Sequence, residues 1–320
     1  MPAFSIPDAA FEGFRLTRER PRVVGAWAAM YGVMSLVTGV VMILTVGPQF
    51  ATLRAAASGA SAAEQAEVMR QFRILAPFFA AIVPFVVLFW SVLTCAVYRV
   101  ILRPEQSGFG RLRLGADELR MMVVTLALWL LVMVTASLSA LFVSFGEIMA
   151  SGAGPLAGFL GNLVSLAAFG VTVLVWVRLS LAGPVTFDTG RIQLFHSWGL
   201  TRGHFWRIGA AYALAVALAI VVFLLALVIF TATAGVFVTA AGHPLADIAT
   251  VFQPNPASLA AYFTPAQILY QAFWALLQVV VYAVLLSPAA VIYAALTHRP
   301  VDTFHHAGPG GPAGSEAHSG

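Results

Sequence analysis

Six long apolar runs constrain this chain more than any other feature of its sequence. A helix that crosses a bilayer needs about 20 predominantly apolar residues, and each run reaches that length. Hydrophobic residues make up 60% of the chain and charged residues only 9%, which excludes an ordinary soluble domain. The predicted spans lie near Val23–Val46, Ala76–Leu102, Met121–Phe145, Leu156–Leu181, Ile208–Val238 and Ala266–Leu296.

A block of related sequence precedes the first, third and fifth runs. The blocks begin at Phe11, Phe109 and Phe195, and each carries a leucine five residues later. One block followed by two spans cannot bury its own apolar faces, so copies of such a unit are expected to pack together as one body. The sequence therefore predicts an internal repeat.

The third block has the spacing of an amphipathic surface helix, because Ile192, Phe195 and Trp198 recur at three-residue steps. The predicted fold class is an all-α integral membrane protein whose six transmembrane helices form three repeats of a surface helix plus two spans. The predicted units cover about 7–104, 105–187 and 188–303, within a single domain of residues 1–306. Residues 307–320, rich in Gly, Pro, Ser and His, are expected to be disordered.

The basic residues predict how the chain is oriented. All 17 are arginine, and the absence of lysine favours a GC-rich, bacterial genome. Three of them, Arg54, Arg70 and Arg73, lie on one side of the predicted bilayer. The fourteen on the other side are Arg15, Arg18, Arg20, Arg22, Arg99, Arg103, Arg111, Arg113, Arg120, Arg178, Arg191, Arg202, Arg207 and Arg299. Basic loops stay cytoplasmic, so we expect a multi-pass protein of the bacterial inner membrane with both termini cytoplasmic.

The arginine-rich side also predicts partners. Attraction to anionic head groups explains this belt more simply than nucleic-acid binding does. Aromatic residues that suit the head-group boundary accompany the arginines of the third unit. We therefore predict an anionic-lipid site at Arg191, Arg202, Arg207 and Trp206, outside any core. Membrane lipids are the expected partners, and a protein partner stays open.

Two stripes of polar residues lie on predicted spans. The first, on the sixth span, comprises Gln267, Gln271, Gln278 and Tyr282; the second, on the fourth span, comprises Asn162, Ser165 and Thr172. Each set shares one helix face, and polar side chains are costly in contact with lipid. Two interpretations stay open, a hydrogen-bonded seam between helices and a hydrated or lipid-binding cleft.

The sequence predicts no catalytic residue, metal site or cofactor. It lacks the metalloprotease, phosphate-loop and nucleophile-elbow motifs, and Cys95 is its only cysteine. Ionisable residues are absent from the middles of the predicted spans. Arg99 and Arg178 lie near span ends, where long side chains are expected to reach water.

Two stretches carry a resemblance to a known family. Arg178–Pro184 (RLSLAGP) followed by Ser197–Arg207 (SWGLTRGHFWR) resembles the membrane domain of glycerophosphoryl diester phosphodiesterases, and the stand-alone bacterial membrane proteins built from that domain. In the two-part enzymes, a separate barrel of about 250 residues performs catalysis. This chain has no non-membrane stretch of that length, nor the enzyme's His-Arg-Gly start and Glu-x-Asp pair. The resemblance therefore implies the membrane part without its catalytic chemistry.

Two functions follow as hypotheses. The first is a non-enzymatic module that associates with lipid or scaffolds a protein partner, indicated by the arginine belt and the surface segments. The alternative is a transporter or permease for a lipid-like or small solute, indicated by the polar stripes. An intramembrane enzyme has the least support, because no acid–base pair or nucleophile is visible.

The orientation is testable with single cysteines introduced into a Cys95→Ala background. Cysteines at Ser151 and Asn255 are expected to react with a membrane-impermeant thiol reagent added outside, because their loops face the periplasm. Cysteines at Glu12 and Gln193 are expected to stay unlabelled until the membrane is permeabilised. The opposite pattern would reverse the assignment.

Overall fold

A computed structural model describes residues 4–57, 61–106, 108–153, 155–248, 252 and 258–297. Within these residues the chain forms α-helices and two short 3₁₀ turns, with no β-strand. The α-helices are α1 (Ile6–Glu19), α2 (Pro21–Ala57), α3 (Ala62–Leu102), α4 (Ala116–Ala153), α5 (Pro155–Leu179), α6 (Ala182–Thr189), α7 (His196–Leu200), α8 (Phe205–Ala240), α9 (Leu259–Tyr262) and α10 (Pro265–Leu296). Arg299, Asn255 and the predicted tail 307–320 lie outside the described residues.

Six of these helices, α2, α3, α4, α5, α8 and α10, are long and apolar enough to cross a membrane. The all-α class is therefore confirmed within the described residues, and each predicted span falls on one of these helices. The main difference is at α3, which begins at Ala62 rather than near Ala76. Ser61 caps it by accepting a hydrogen bond from the Glu64 amide at 3.3 Å, while the Glu64 carboxylate accepts from the Ser61 amide at 2.9 Å. This reciprocal cap starts the helix in the polar loop, well before the apolar run.

Helix α10 lies at the centre of the bundle. It contacts α1, α2, α3, α6 and α8, and its residues from Ala283 to Ala294 are nearly all buried. Small residues, among them Ala283 and Ala290, allow the neighbouring helices to approach closely, as is usual between helices in membranes.

Helix α1 packs directly against this central helix. Ser5 caps its N-terminus by accepting from the Asp8 amide at 3.4 Å. A side chain at Gly13 would lie closer than 3.0 Å to backbone atoms of Ala283 and Val284. Only glycine permits this approach, so the position of α1 depends on it.

The predicted surface helices are only partly present. The first block lies in α1, but the second forms a three-residue 3₁₀ turn at Phe109–Arg111, where Gly110 and Arg111 have positive φ values of 56° and 54°. Such angles interrupt a helix. In the third block the backbone at Ile192 is irregular and a five-residue helix begins only at His196. The expectation of a surface helix in every unit is therefore wrong, and the threefold repeat stays a prediction.

Burial also differs among the matched positions of the blocks. Leu16 is 1% exposed and belongs to the core, whereas Leu114 is 77% exposed. The shared leucine thus does not occupy one structural environment.

Helices α4 and α5 form a hairpin that packs mainly on itself. They contact each other more extensively than any other described pair of helices, and their backbones meet where a side chain on Gly146 would strike Gly161 at 2.9 Å. No residue in the most apolar window of α4 is buried. The middle of α4 is therefore largely exposed.

The two ends of the described chain lie at the same end of the bundle. Phe4 contacts Arg207 at the start of α8, and Tyr293 near the end of α10 contacts Asp188. We call this the arginine end. Glu12, proposed above as a labelling site, is only 3% exposed. A cysteine there would be shielded from both sides, so the exposed Arg202 is the better reporter for this end.

Replacing Gly13 by alanine tests the contact between α1 and α10. The added methyl group must push α1 away from α10, and overpacking of this kind costs about 1–3 kcal/mol. We expect a lower unfolding temperature in detergent and faster proteolysis within α1. Gly25→Ala is the matched control, because nothing lies within 4 Å of a side chain at Gly25. Equal unfolding temperatures for the two variants would contradict this packing.

Candidate functional site

The stripe on α10 divides between two environments. Gln271 lies in a polar seam with α2 and α9: its Oε1 accepts from the Ser35 hydroxyl at 2.9 Å, and its Nε2 donates to the Tyr262 hydroxyl at 3.0 Å. Gln278 lies near the Tyr31 hydroxyl on α2. Gln271 therefore joins α10 to α2 and α9.

Gln267, at the far end of α10 from the arginine end, is 2% exposed. Its side-chain oxygen and nitrogen have no hydrogen-bond partner in the described structure. Its backbone amide donates to Thr264, the residue that caps α10, at 3.2 Å. Gln267 is thus placed apart from the seam of Gln271 and Gln278.

Tyr282, further along the same face of α10, contacts α3. Its hydroxyl lies 2.9 Å from the Thr94 hydroxyl, and its ring centroid lies 4.4 Å from that of Trp90. The stripe thus contacts α2 and α9 at Gln271 and α3 at Tyr282.

The stripe on α5 does not act as one surface. The Thr172 hydroxyl lies 3.0 Å from that of Ser139 on α4, within the hairpin. Ser165 donates to the Gly161 carbonyl of its own helix at 2.9 Å, and Asn162 is exposed. The structure does not bring these residues together with the stripe on α10.

Three adjoining cavities meet at Tyr282, and together we call them the Tyr282 cleft. Their volumes are about 450, 370 and 440 Å³, each within the range of small-molecule sites. They lie between the α4–α5 hairpin and helices α3, α8 and α10. Their lining includes Trp90, Tyr98, Thr125, Leu128, Trp129, Trp176, Ser180, Tyr212 and Val216.

The Tyr282 cleft opens sideways. Trp129 on α4 and Trp176 on α5 line it and are 51% and 48% exposed. Both helices are long and apolar enough to cross a membrane. The walls are mainly apolar, with hydroxyl groups such as those of Tyr282 and Thr125 among them. Such a surface suits an apolar ligand that carries a few hydrogen-bonding groups.

An ionic network closes the bundle at the arginine end, beyond the cleft. Arg99 and Glu118, 3% and 1% exposed, form a salt bridge between α3 and α4. Arg99 also donates to the Arg111 carbonyl at 2.6 Å. The expectation that Arg99 reaches water is therefore wrong: an acidic partner follows in the first turn of the next span and neutralises its charge inside the protein.

Arg103 extends the network to α6. It donates to the Phe187 carbonyl at 2.9 Å and pairs with Asp117 at 3.3 Å, while its guanidinium lies 4.5 Å from the Phe187 ring centre. The Tyr293 hydroxyl donates to Asp188 at 2.6 Å, which ties α10 to the end of α6. Charge-assisted and cation–π contacts thus join four helices here.

Arg111 caps the end of α3. Its guanidinium donates to the carbonyls of Arg99, Arg103 and Pro104 at 3.2, 3.1 and 2.8 Å. Burial lowers the pKa of Arg111, and the nearby charge of Arg20 lowers it further. The hydrogen bonds to the three carbonyls, which lie where the helix ends, offset part of this cost.

The residues predicted to bind anionic lipid have different roles. Arg191 and Arg202 are exposed, and Trp206 is 84% exposed, as expected of a head-group surface. Arg207 instead donates to the Phe4 carbonyl and lies 5.0 Å over the Phe4 ring. Arg207 is half-buried rather than exposed, because it fastens the N-terminal segment to α8.

The chain matches no protein-family model, no curated protein and no solved structure. The resemblance to the membrane domain of glycerophosphoryl diester phosphodiesterases therefore rests on the quoted residues alone.

Sequence reasoning missed the ionic network, although a signal for it was present. Only 13 residues of the chain are acidic, yet Asp117 and Glu118 stand together at the start of a span on the side with most of the arginines. Acidic residues there oppose the charge bias of that side, so specific partners are the simplest explanation.

Breaking the buried pair should destabilise the protein strongly. In Glu118→Gln, Arg99 keeps its charge without a counter-charge, and loss of one member of a buried pair costs about 3–5 kcal/mol. We expect a large fall in unfolding temperature in detergent. Arg70→Gln is the control, since its pair with Glu67 is at the opposite end and exposed, and we expect little change. Similar losses in both variants would show that the buried pair has no special role.

Proposed function

We propose that this protein is a non-enzymatic membrane module that holds membrane lipid, with an acyl chain seated in the Tyr282 cleft. The observation that carries the proposal is the meeting of three apolar cavities at Tyr282, on a face that opens to the bilayer. We also propose that the protein lies in the bacterial inner membrane with both termini in the cytoplasm. The unequal distribution of arginines between the two ends of the spans supports this orientation.

The chemistry of the Tyr282 cleft supports an acyl chain over a polar solute. Trp90, Leu128 and Trp129 offer broad apolar surfaces, which favour contact with hydrocarbon through dispersion. The hydroxyls of Thr94 and Tyr282 bond each other, so the central polar groups need no water. An open cleft of this size in a bilayer is filled by the hydrocarbon that surrounds it.

The arginine end supports an anionic surface beside the bilayer. Arg191 and Arg202 are exposed there together with Trp206, a combination suited to the head-group region. Arg207 does not belong to this exposed group, because it contacts Phe4.

The transporter alternative has less support. It called for a hydrated path past Gln271 and Gln278, but Gln271 bonds Ser35 and Tyr262, and Gln278 faces Tyr31. Hydrogen bonds to neighbouring helices favour a seam, and a cavity of about 290 Å³ lined by Tyr31, Ser35 and Tyr262 borders it, which is the observation that favours the transporter.

Cross-linking tests the Tyr282 cleft directly. The protein is reconstituted with a phospholipid that carries a diazirine in the middle of one acyl chain, irradiated, and mapped by peptide mass spectrometry. We expect adducts at the cleft residues of α4, Thr125 to Trp129, well above those on equally exposed lipid-facing residues. Val216→Phe and Thr125→Phe should each reduce these adducts severalfold, because the larger ring fills the cleft.

Val221→Phe is the matched control: Val221 is exposed on the same helix as Val216 but does not line the Tyr282 cleft. Its adducts should equal those of the wild type. Uniform labelling of all exposed spans, unchanged by the cleft-filling variants, would refute the proposal.

A further inference from the structure

A second groove lies on the opposite side of α3 from the Tyr282 cleft. Its volume is about 410 Å³. Met30 of α2 and the α3 residues Phe85, Phe89 and Val92 form its walls, and Leu112 and Leu114 of the α3–α4 loop border it. The span from Val92 to Phe85 is about 10 Å of helix, so the groove runs along α3 from the arginine end into the membrane.

One charged residue, Arg113, lines this otherwise apolar groove. Arg113 is exposed and stands between Leu112 and Leu114, at the end of the groove nearest the membrane surface. Arg20 also lies close to this loop, since its charge acts on Arg111. The negative charge of Glu105 also lies near Arg111, but the arginines around the loop outnumber this one carboxylate. The groove therefore has a hydrocarbon wall and a cationic mouth.

The loop that carries Arg113 is held firmly in place. The Trp27 indole donates to the Gly110 carbonyl at 2.7 Å, and a side chain on Gly110 would meet Ala26 at 2.8 Å. Arg111, with its positive φ of 54°, is bound to the end of α3 by three carbonyls. These contacts hold the backbone of the α3–α4 loop against both α2 and α3. The fold therefore sets the position of Arg113 at the groove.

The same loop presents apolar side chains outwards. Phe109 is 81% exposed and Leu114 77% exposed, next to a cationic residue and at the end of membrane spans. Apolar and basic residues side by side suit the boundary between head groups and acyl chains.

We propose that this groove binds a phospholipid with an anionic head group, one acyl chain lying along α3 and the phosphate region bound by Arg113. The exposed positive charge of Arg113 attracts the phosphate, and the apolar wall provides the chain with buried contact. The site rests on the proposed function in that it assigns a head-group class to a lipid-holding protein, but it uses none of the residues of the Tyr282 cleft.

Binding to the full-length protein tests the site. Native mass spectrometry compares retention of phosphatidylglycerol and phosphatidylcholine with matched acyl chains. We expect the wild type to prefer phosphatidylglycerol, and Arg113→Gln to weaken its binding about fivefold, which is the attraction of one surface arginine for anionic lipid. Met30→Trp should weaken the binding of both lipids, because the larger side chain fills the groove. Glycerol phosphate, which has no acyl chains, should not compete with phosphatidylglycerol.

Arg18→Gln is the matched control, because Arg18 is an arginine of the same end with a side chain 83% exposed and lies outside the groove. It should keep the wild-type preference. Equal losses in Arg18→Gln and Arg113→Gln would mean diffuse attraction to the arginine belt, and an unchanged preference in Arg113→Gln would overturn the site. The two proposals can fail separately. No phosphatidylglycerol preference together with normal cross-linking in the Tyr282 cleft would remove only the groove site. A clear preference without that cross-linking would remove only the proposal for the cleft.

Discussion

The salt bridge between Arg99 and Glu118 is the interaction on which the rest of the structure depends. It lies at the arginine end, nearly inaccessible to solvent, where an unpaired charge would be very costly. Because Arg99 lies in the last turn of α3 and Glu118 in the first turn of α4, the pair fixes the position of one helix relative to the next. Arg111 and Arg103 extend this order to the loop and to α6. The bundle is therefore joined most tightly at one end.

That uneven joining explains where the open spaces lie. Around the buried part of α10 the helices pack closely, and Gly13 lies against Val284 with no room for a side chain. The α4–α5 hairpin is tied to the bundle through Glu118 and Asp117 at its base, but further along its two helices meet mainly each other, at Gly146 and Gly161. The Tyr282 cleft is the space between this hairpin and α10. A membrane protein with such a space offers hydrocarbon a specific place to lie.

The arginines have two roles that a count of charges cannot separate. Arg99, Arg103, Arg111 and Arg207 bind carbonyls, carboxylates or rings of the protein itself. Others, such as Arg113, are exposed. The internal contacts hold the α3–α4 loop in a fixed shape, and that shape positions Arg113. Buried and exposed arginines are thus linked through one short segment.

The sequence alone determined the all-α class, the six long apolar helices and which polar residues share one face of a helix. Length, hydropathy and a 3.6-residue period are local properties. It did not reveal which arginines turn inwards, since Arg99 and Arg113 look alike until Glu118 is brought beside one of them. It also predicted matched surface helices that the positive φ angles at Gly110 and Arg111 do not permit. Gln271 and Tyr282 share a face of one helix, yet one joins a seam and the other lines a cleft. Only the packing of α2, α3 and α4 around α10 decided these outcomes, because each depends on residues distant in the chain.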